Sequence, residues 1–130
     1  MIVVDASALL EVLLQTSRAQ AVSERLFRRG EMLLAPHLID VEVAQVFRRY
    51  NAAGEIDDLR CKEAFEDLAD MPIVRYAHGF LLPRVWELRH SVTAYDAVYL
   101  ALAEALDVPM VTRDAALASA PGHQATVELL

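Results

Sequence analysis

Hydrophobic residues along the 130-residue chain follow two alternating kinds of spacing. Short runs of consecutive apolar residues, many of them β-branched, are typical of buried strands. They predict strands at Met1–Val4, Met32–Ala35, Ile73–Tyr76, Met110–Thr112 and Thr126–Leu129. Between these runs, apolar residues recur every three or four positions, which is the period of a helix with one buried face. The predicted helices begin after Asp5 and near Ala115, and cover Ala19–Arg29, Ile39–Ala53, Asp57–Asp70, Leu81–Arg89 and Ala94–Leu106. In the helix at Ala19–Arg29, the residues predicted to face inward are Val22, Leu26 and Phe27.

This alternation of strands and helices predicts a three-layer α/β/α fold with a mainly parallel central sheet of four to five short strands. Crossovers between parallel strands are right-handed, so all the strands point the same way and their carboxyl ends share one edge. Ligands bind at that edge, where the order of the strands reverses. Polar residues that follow a strand are therefore the first candidates for a functional site.

Length and composition predict a single domain that spans residues 1–130. No apolar run is long enough to cross a membrane, and the chain lacks the basic start of a signal peptide. Cys61 is the only cysteine, which excludes an internal disulfide and a thiolate zinc site. The expected location is the cytoplasm, without a membrane partner.

Three acidic residues fall where a strand gives way to a helix or where a helix begins. Asp5 follows the first strand, Asp114 follows the fourth, and Asp96 lies in the first turn of the alanine-rich helix. Each of them could simply cap a helix. Ser7 could cap the first helix in place of Asp5, and Thr93 with Asp96 resembles a capping box.

Glu42 is different, because it lies beside the buried stripe of its own helix, between Ile39 and Val46. An unpaired charge on an inward face costs several kcal/mol, so the side chain needs a cation. That cation could be an arginine in a salt bridge or a bound metal ion.

Together these four acids predict a metal site. Carboxylates held close together repel one another, and their pKa values rise unless a cation compensates. A site made only of oxygen ligands suits hard cations such as Mg²⁺ or Mn²⁺. One or two such ions can activate a water and stabilise a phosphoryl group in transit. The chemistry predicted from these residues is metal-assisted hydrolysis of a phosphodiester bond.

Four sequence motifs carry a resemblance to a known family. They are D-A-S at Asp5, L-I-D-V-E-V-A around Glu42, S-V-T-A-Y-D-A-V-Y-L-A-L-A around Asp96, and V-T-R-D ending at Asp114. Each motif is weak alone, but the four in this order over the whole chain form a specific signal. The chain resembles the PIN-domain ribonucleases, and in particular the VapC-type toxins of type II toxin–antitoxin systems.

The resemblance implies an endoribonuclease whose four acids surround one or two Mg²⁺ or Mn²⁺ ions and cut RNA by attack of water. It implies that Asp5 and Asp96 are direct metal ligands, and that Ser7 and Thr112 support them through hydrogen bonds. Thr93 would cap the helix that carries Asp96. The implied partners are an RNA substrate, a second copy of the chain in a homodimer, and a VapB-type antitoxin. The C-terminal segment of that antitoxin would occupy an apolar groove and place an arginine at the acidic pocket.

The overall charge adds little to this interpretation. A net charge of −7 argues against a nucleic-acid partner, but eleven of the twelve basic residues are arginines, which bind phosphate with two hydrogen bonds. Trp86 and Tyr95 could stack on an RNA base, although aromatic residues at helical spacing are also typical of core packing.

Three other classes compete with the nuclease. A phosphoacceptor receiver domain needs paired acids near its first strand and a lysine after its last main strand, and the only lysine, Lys62, lies on a helix. A phosphatase with an aspartate nucleophile needs a second aspartate where Ser7 stands. The third alternative is a PIN fold that has lost its activity. The main alternative to the nuclease is thus a Mg²⁺-binding regulatory or scaffold domain without nuclease activity.

Overall fold

The computed structural model describes all the residues of the chain, 1–130, and contains one five-stranded sheet. Its strands are β1 (Ile2–Val4), β2 (Leu33–Pro36), β3 (Ile73–Tyr76), β4 (Met110–Thr112) and β5 (Val127–Leu129). They lie in the order β3-β2-β1-β4-β5, and every neighbouring pair is parallel. The predicted parallel sheet of short strands is therefore confirmed.

Helices connect the strands along the whole chain. They are α1 (Ala6–Leu13), α2 (Ala19–Leu26), α3 (Leu38–Ala52), α4 (Asp58–Asp70), α5 (Leu82–Glu87), α6 (Ala94–Leu106) and α7 (Ala115–Ala118), with a 3₁₀ turn at Gly79–Leu81. None of them combines the length and the hydrophobicity that a membrane crossing requires.

The helices form two groups, one for each face of the sheet. Helices α1 to α4 pack against one another and connect β1 to β2 and β2 to β3, whereas α5 and α6 pack together and return the chain from β3 to β4. Because right-handed crossovers that run in opposite directions along a sheet place their helices on opposite faces, the fold has three layers. This confirms the predicted α/β/α architecture.

The order of the strands reverses at β1, which has β2 on one side and β4 on the other. The carboxyl ends of β1 and β4 therefore border the crevice where open parallel sheets bind ligands. Asp5 follows β1 directly, and Asp114 lies two residues beyond the end of β4.

The core is centred on β1 and on the helix that crosses it. All of β1 is buried, and so is the continuous segment Ala97–Ala103 of α6. The alanines of this helix are small enough for close contact with the sheet, and α6 packs on β1, β2 and β4. The packing of α6 against the sheet and against α5 holds its first turn, with Asp96, in a fixed place at the edge of the sheet.

Two predictions about α2 are wrong. The helix ends at Leu26 rather than at Arg29, and the side chain of Phe27 is 45% exposed instead of facing inward. Arg25 in the last turn of α2 pairs with Glu31, so the chain must reverse within the few residues between them. Gly30, with φ at +80°, allows that reversal.

The interpretation of Trp86 and Tyr95 as core residues is also wrong. Their side chains are 68% and 63% exposed. The predicted helix at Leu81–Arg89 is shorter than expected, because its first turn is 3₁₀ and its last residues form a loop.

Candidate active site

Asp5 lies at the turn between β1 and α1, and its carboxylate is buried and held by three donors. The Ala8 backbone N–H donates to Oδ1 at 3.1 Å, and the Ser7 hydroxyl donates to the same oxygen at 2.7 Å. The Thr112 hydroxyl donates to Oδ2 at 2.7 Å. The cap of α1 is therefore Asp5 itself, and the alternative that Ser7 caps this helix is wrong.

Ser7 and Thr112 link the β1–α1 turn to the β4–α7 turn. Their hydroxyl oxygens are 3.2 Å apart. Ser7 Oγ accepts a hydrogen bond from the Arg113 N–H at 2.9 Å, and Thr112 Oγ1 accepts one from the Asp114 N–H at 2.9 Å. Both hydroxyls thus donate toward Asp5 while they accept from the backbone beside Asp114, which fixes the two acidic turns relative to each other.

Asp114 caps α7 through one oxygen, Oδ1, which accepts from the N–H groups of Ala116 at 2.9 Å and Leu117 at 3.2 Å. Its residue is exposed, in contrast to Asp5. The cap orients the carboxylate at the rim of the crevice, so capping and a place in the site are compatible.

Asp96 occupies the first turn of α6, where Thr93 caps the helix. The Thr93 hydroxyl accepts a hydrogen bond from the Asp96 N–H at 3.2 Å, as predicted. The reciprocal bond of a capping box, from the Thr93 N–H to the Asp96 carboxylate, does not form. The carboxylate is therefore free to face the crevice.

Glu42 projects from α3 toward α6, and the Tyr99 hydroxyl donates a hydrogen bond to its Oε1 at 2.5 Å. No arginine or lysine forms an ion pair with Glu42, which rules out the salt bridge considered from the sequence. The other three acids of the site also lack an ion-pair partner. Tyr99 was not predicted as a site residue, although it lies one helical turn after Asp96 on the same face of α6.

All four acids line one cleft of about 550 Å³. The rest of its wall is largely apolar or aromatic, and is formed by Ala6, Leu10, Leu38, Val41, Val46, Tyr95 and Tyr99, with the polar side chains of Ser7 and Gln45. The structure thus brings together the acids from four separate parts of the sequence, and it also places an apolar surface beside them. Arg113, the basic residue next to Asp114, turns away from the acids toward Glu11 and the Leu130 carbonyl.

The acids of the cleft interact electrostatically. Burial raises the pKa of Asp5, and the charge of Asp96 raises it further, while three hydrogen bonds oppose the shift. Burial also raises the pKa of Glu42, with smaller contributions from Asp96 and Asp5. The pKa of Asp96 rises through burial and through the charge of Asp114. The cleft therefore carries concentrated negative charge that no side chain neutralises.

This donor set fits a divalent cation. No three of the acidic side chains lie close enough together to hold an ion alone. Mg²⁺, however, usually keeps several waters and takes only one or two protein carboxylates. Hydroxyls that orient a ligand carboxylate, as Ser7 and Thr112 orient Asp5, are typical of the outer shell of such sites.

Comparisons with known proteins agree with this geometry. The PIN domain family matches residues 2–122. Ribonuclease VapC1 of Mycobacterium tuberculosis is 40% identical over 129 residues, which cover 98% of this chain and 96% of that protein. The chain belongs to the VapC-type PIN-domain family. Ribonuclease VapC12 of the same organism is 38% identical over 130 residues and matches 100% of this VapC-type chain and 99% of its own length.

Solved structures share the fold of this VapC-type chain at low sequence identity. PAE2754 from Pyrobaculum aerophilum superimposes with a TM-score of 0.70 at 21% identity, over 97% of this chain and 81% of that one. Mycobacterium tuberculosis VapC20, described as a sarcin-ricin loop cleaving toxin, gives a TM-score of 0.67 at 13% identity, over 92% and 94%. The fold of this chain is thus shared with solved structures of divergent sequence, among them VapC20.

Proposed function

We propose that this VapC-type endoribonuclease hydrolyses RNA in the acidic cleft with one or two divalent ions, Mg²⁺ or Mn²⁺, held by Asp5, Glu42, Asp96 and Asp114. The observation that carries the proposal is the convergence of four carboxylates without any ion-pair partner. Like charges held together in one cleft call for a cation, and oxygen ligands select a hard one.

The acids divide into two pairs by their surroundings. Asp5 and Asp96 are the direct ligands in this proposal, because one is locked by three donors and the other has a carboxylate left free by its cap. Glu42 and Asp114 act directly or through bound waters. Bound Mg²⁺ or Mn²⁺ supplies Lewis-acid stabilisation of the phosphate and lowers the pKa of a water.

The hydroxyl residues position the ligands in this account. Ser7 and Thr112 keep both oxygens of Asp5 in one orientation, and Thr93 fixes the first turn of α6. Tyr99 holds Glu42 in place through a hydrogen bond that spans α3 and α6. A rigid set of carboxylates spares the protein the cost of ordering them when the ion binds.

The apolar wall of the cleft is suited to binding a protein partner, in addition to the RNA that the acids would cleave. Leu10 of α1 and Leu38, Val41 and Val46 of α3 adjoin the acids. We propose that a VapB-type antitoxin covers this wall with an apolar segment and places a cationic side chain at the carboxylates. That the chain forms a homodimer stays a prediction, which sedimentation of the purified protein tests.

Cleavage of a structured RNA by the wild type and by Asp5→Asn, with Mg²⁺, Mn²⁺ or EDTA, tests the proposed function. We expect the wild type to cleave only with metal, and the variant to lose activity by more than the roughly 10–100-fold typical of an outer-shell substitution. The matched control is Asp67→Asn, which removes the same charge from an exposed position on α4 without touching the cleft.

Intact RNA in every wild-type reaction, from protein free of copurified antitoxin, would refute the nuclease. That result would favour the Mg²⁺-binding regulatory or scaffold domain without activity, which the family assignment does not support.

A further inference from the structure

A second cavity adjoins the acidic cleft and shares Asp96 with it. It measures about 480 Å³, within the range of small-molecule sites, and lies between the loop after α5 and the start of α7. Its lining residues are Arg89, His90, Ser91, Val92, Thr93, Asp96, Ala116 and Leu117. A chain that passes over Asp96 from the cleft therefore enters this cavity next.

Arg89 gives this cavity a free positive charge. Five arginines of the chain are in ion pairs, namely Arg25, Arg60, Arg75, Arg84 and Arg113, and Arg89 is not among them. It is the only unpaired arginine that lines a cavity containing an acid of the site. It also forms no ion pair with Asp96, so the carboxylate stays available for metal. An unpaired cation in a cavity that shares Asp96 with the acidic cleft, in a chain of net charge −7, points to an anionic ligand.

The guanidinium of Arg89 is held in place before any ligand binds. It stacks over the Trp86 ring, 4.6 Å from the ring centroid, and its Nη1 donates to the Trp86 carbonyl at 2.8 Å. A guanidinium has five N–H donors, so most of them remain for a ligand. Trp86 itself is 68% exposed, and its contribution is to fix the arginine rather than to fill the core.

We propose that Arg89, supported by Trp86, binds the RNA phosphate adjacent to the bond cleaved at the four acids. This inference rests on the proposed function. The ligand is a single-stranded segment, because a planar guanidinium matches a phosphate with two hydrogen bonds and an exposed aromatic ring beside it suits unstacked nucleotides. His90 lines the same cavity and is exposed. Arg89 is thus a positioning residue that sets where the RNA lies across the metal ligands.

Steady-state cleavage of a single-stranded RNA of mixed sequence by the full chain, at several salt concentrations, tests this assignment. We expect Arg89→Gln to raise KM about tenfold or more, since a charge-assisted bond is lost, with little change in kcat. The plot of log kcat/KM against log salt concentration should become less steep, by the amount expected for the loss of one phosphate contact. Arg89→Lys keeps the charge but not the paired geometry, so it should restore the salt slope and only part of KM.

The matched control is Arg49→Gln. Arg49 is also exposed, unpaired and stacked on an aromatic ring, that of Tyr50 at 5.3 Å, but it lines neither cavity. Its KM and salt slope should match the wild type. Because Arg89 is exposed and its recorded interactions are with Trp86, the melting temperature of Arg89→Gln should also stay unchanged. If it changes, the kinetics of Arg89→Lys provide the test instead.

Two results would overturn the inference while the proposed function stands. The first is metal-dependent cleavage by Arg89→Gln with wild-type KM and salt slope. The second is wild-type kinetics together with lost inhibition by the antitoxin, which would assign this surface to a protein partner. A wild type that cleaves nothing with Mg²⁺ or Mn²⁺ would instead refute the proposed function itself.

Discussion

The carboxylate of Asp5 combines two roles that the sequence presents as alternatives. It caps α1 through Oδ1, and it lines the acidic cleft with hydrogen bonds to both oxygens. The same holds for Asp114 at α7. A helix N-terminus carries partial positive charge, which helps to hold an acid near other acids. At the scale of single residues, capping therefore places the charges of the site.

Thr112→Val tests whether the hydroxyl beside Asp5 orients the ligand. The substitution keeps the shape of a fully buried side chain but leaves Asp5 Oδ2 and the Asp114 N–H without a partner. We expect the free energy of unfolding to fall by about 1–3 kcal/mol. Mn²⁺ affinity, measured by calorimetry, should fall roughly 10–100-fold. Thr126→Val, at an exposed position without a side-chain hydrogen bond, is the control. Unchanged Mn²⁺ affinity in Thr112→Val would contradict the orienting role.

Asp96→Asn tests whether burial and the charge of Asp114 destabilise the ionised Asp96 carboxylate in the metal-free cleft. The pKa of Asp96 is raised in the folded state, so the folded protein holds this proton more tightly than the unfolded chain does. The free energy of unfolding of the metal-free protein therefore declines as pH rises from the ordinary carboxyl pKa through the raised one. In EDTA the variant should be more stable than the wild type at pH 7, and equally stable near pH 3. Urea denaturation across this range measures the difference, and a difference independent of pH would contradict the account.

At the scale of elements, the site depends on contacts between helices that are distant in sequence. Helices α3 and α6 meet where Tyr99 donates to Glu42. Tyr99→Phe removes this bond without changing the packed volume, and it should lower the free energy of unfolding by about 1–3 kcal/mol at pH 7. In a double-mutant cycle with Glu42→Met, which removes the acceptor oxygens, the two effects should not add, because both substitutions remove the same interaction. Additive effects in urea denaturation would show that the bond contributes nothing.

A second link, between α2 and β5, depends on pH in the opposite sense to Asp96, because its stabilisation is lost at low pH. Arg25 donates to Glu31 and to both oxygens of Glu128. Hydrogen bonds from Met1 and Arg25 lower the pKa of Glu31, and those from Arg25 lower the pKa of Glu128. Their stabilisation is complete above the ordinary carboxyl pKa and is lost as pH falls through the lowered values.

Arg25→Met isolates this link. The variant should be less stable than the wild type at pH 7. The difference should begin to shrink as pH falls below the ordinary carboxyl pKa of about 4 and should disappear only once pH falls through the lowered pKa values of Glu31 and Glu128. Thermal unfolding at pH 7 and pH 3 measures it. Arg29→Met is the control, since Arg29 is exposed and forms no ion pair. An equal loss at both pH values would mean that Arg25 acts through packing alone.

The elements were largely predictable from the sequence, because apolar spacing reports burial directly. All five strands and the main helices lie where the spacing predicts them, within a few residues. The end of α2 was not predictable, since it depends on an ion pair between Arg25 and residues across a turn and in another strand. Local patterns do not contain such partners.

For the whole molecule, the proximity of the acids was predictable from topology alone. Parallel strands bring their carboxyl ends to one edge, which places Asp5 and Asp114 together, and the buried stripe of α3 turns Glu42 inward. The hydrogen bond of Tyr99 and the stacking of Arg89 on Trp86 were not predictable, because they depend on side-chain directions in the folded chain. The net charge of −7 likewise conceals a local arrangement of unpaired acids beside an unpaired arginine.

Mn²⁺ binding by the intact chain, counted from the free-ion signal in electron paramagnetic resonance, tests the central claim most directly. The account predicts that the wild type and Asp67→Asn bind about one or two ions and cleave RNA in proportion to the ions bound. The double variant Asp5→Asn with Asp96→Asn should bind none over the same concentrations and leave RNA intact. Undiminished Mn²⁺ binding by the double variant, or cleavage by the wild type without bound Mn²⁺ or Mg²⁺, would contradict the claim that these carboxylates hold the catalytic metal.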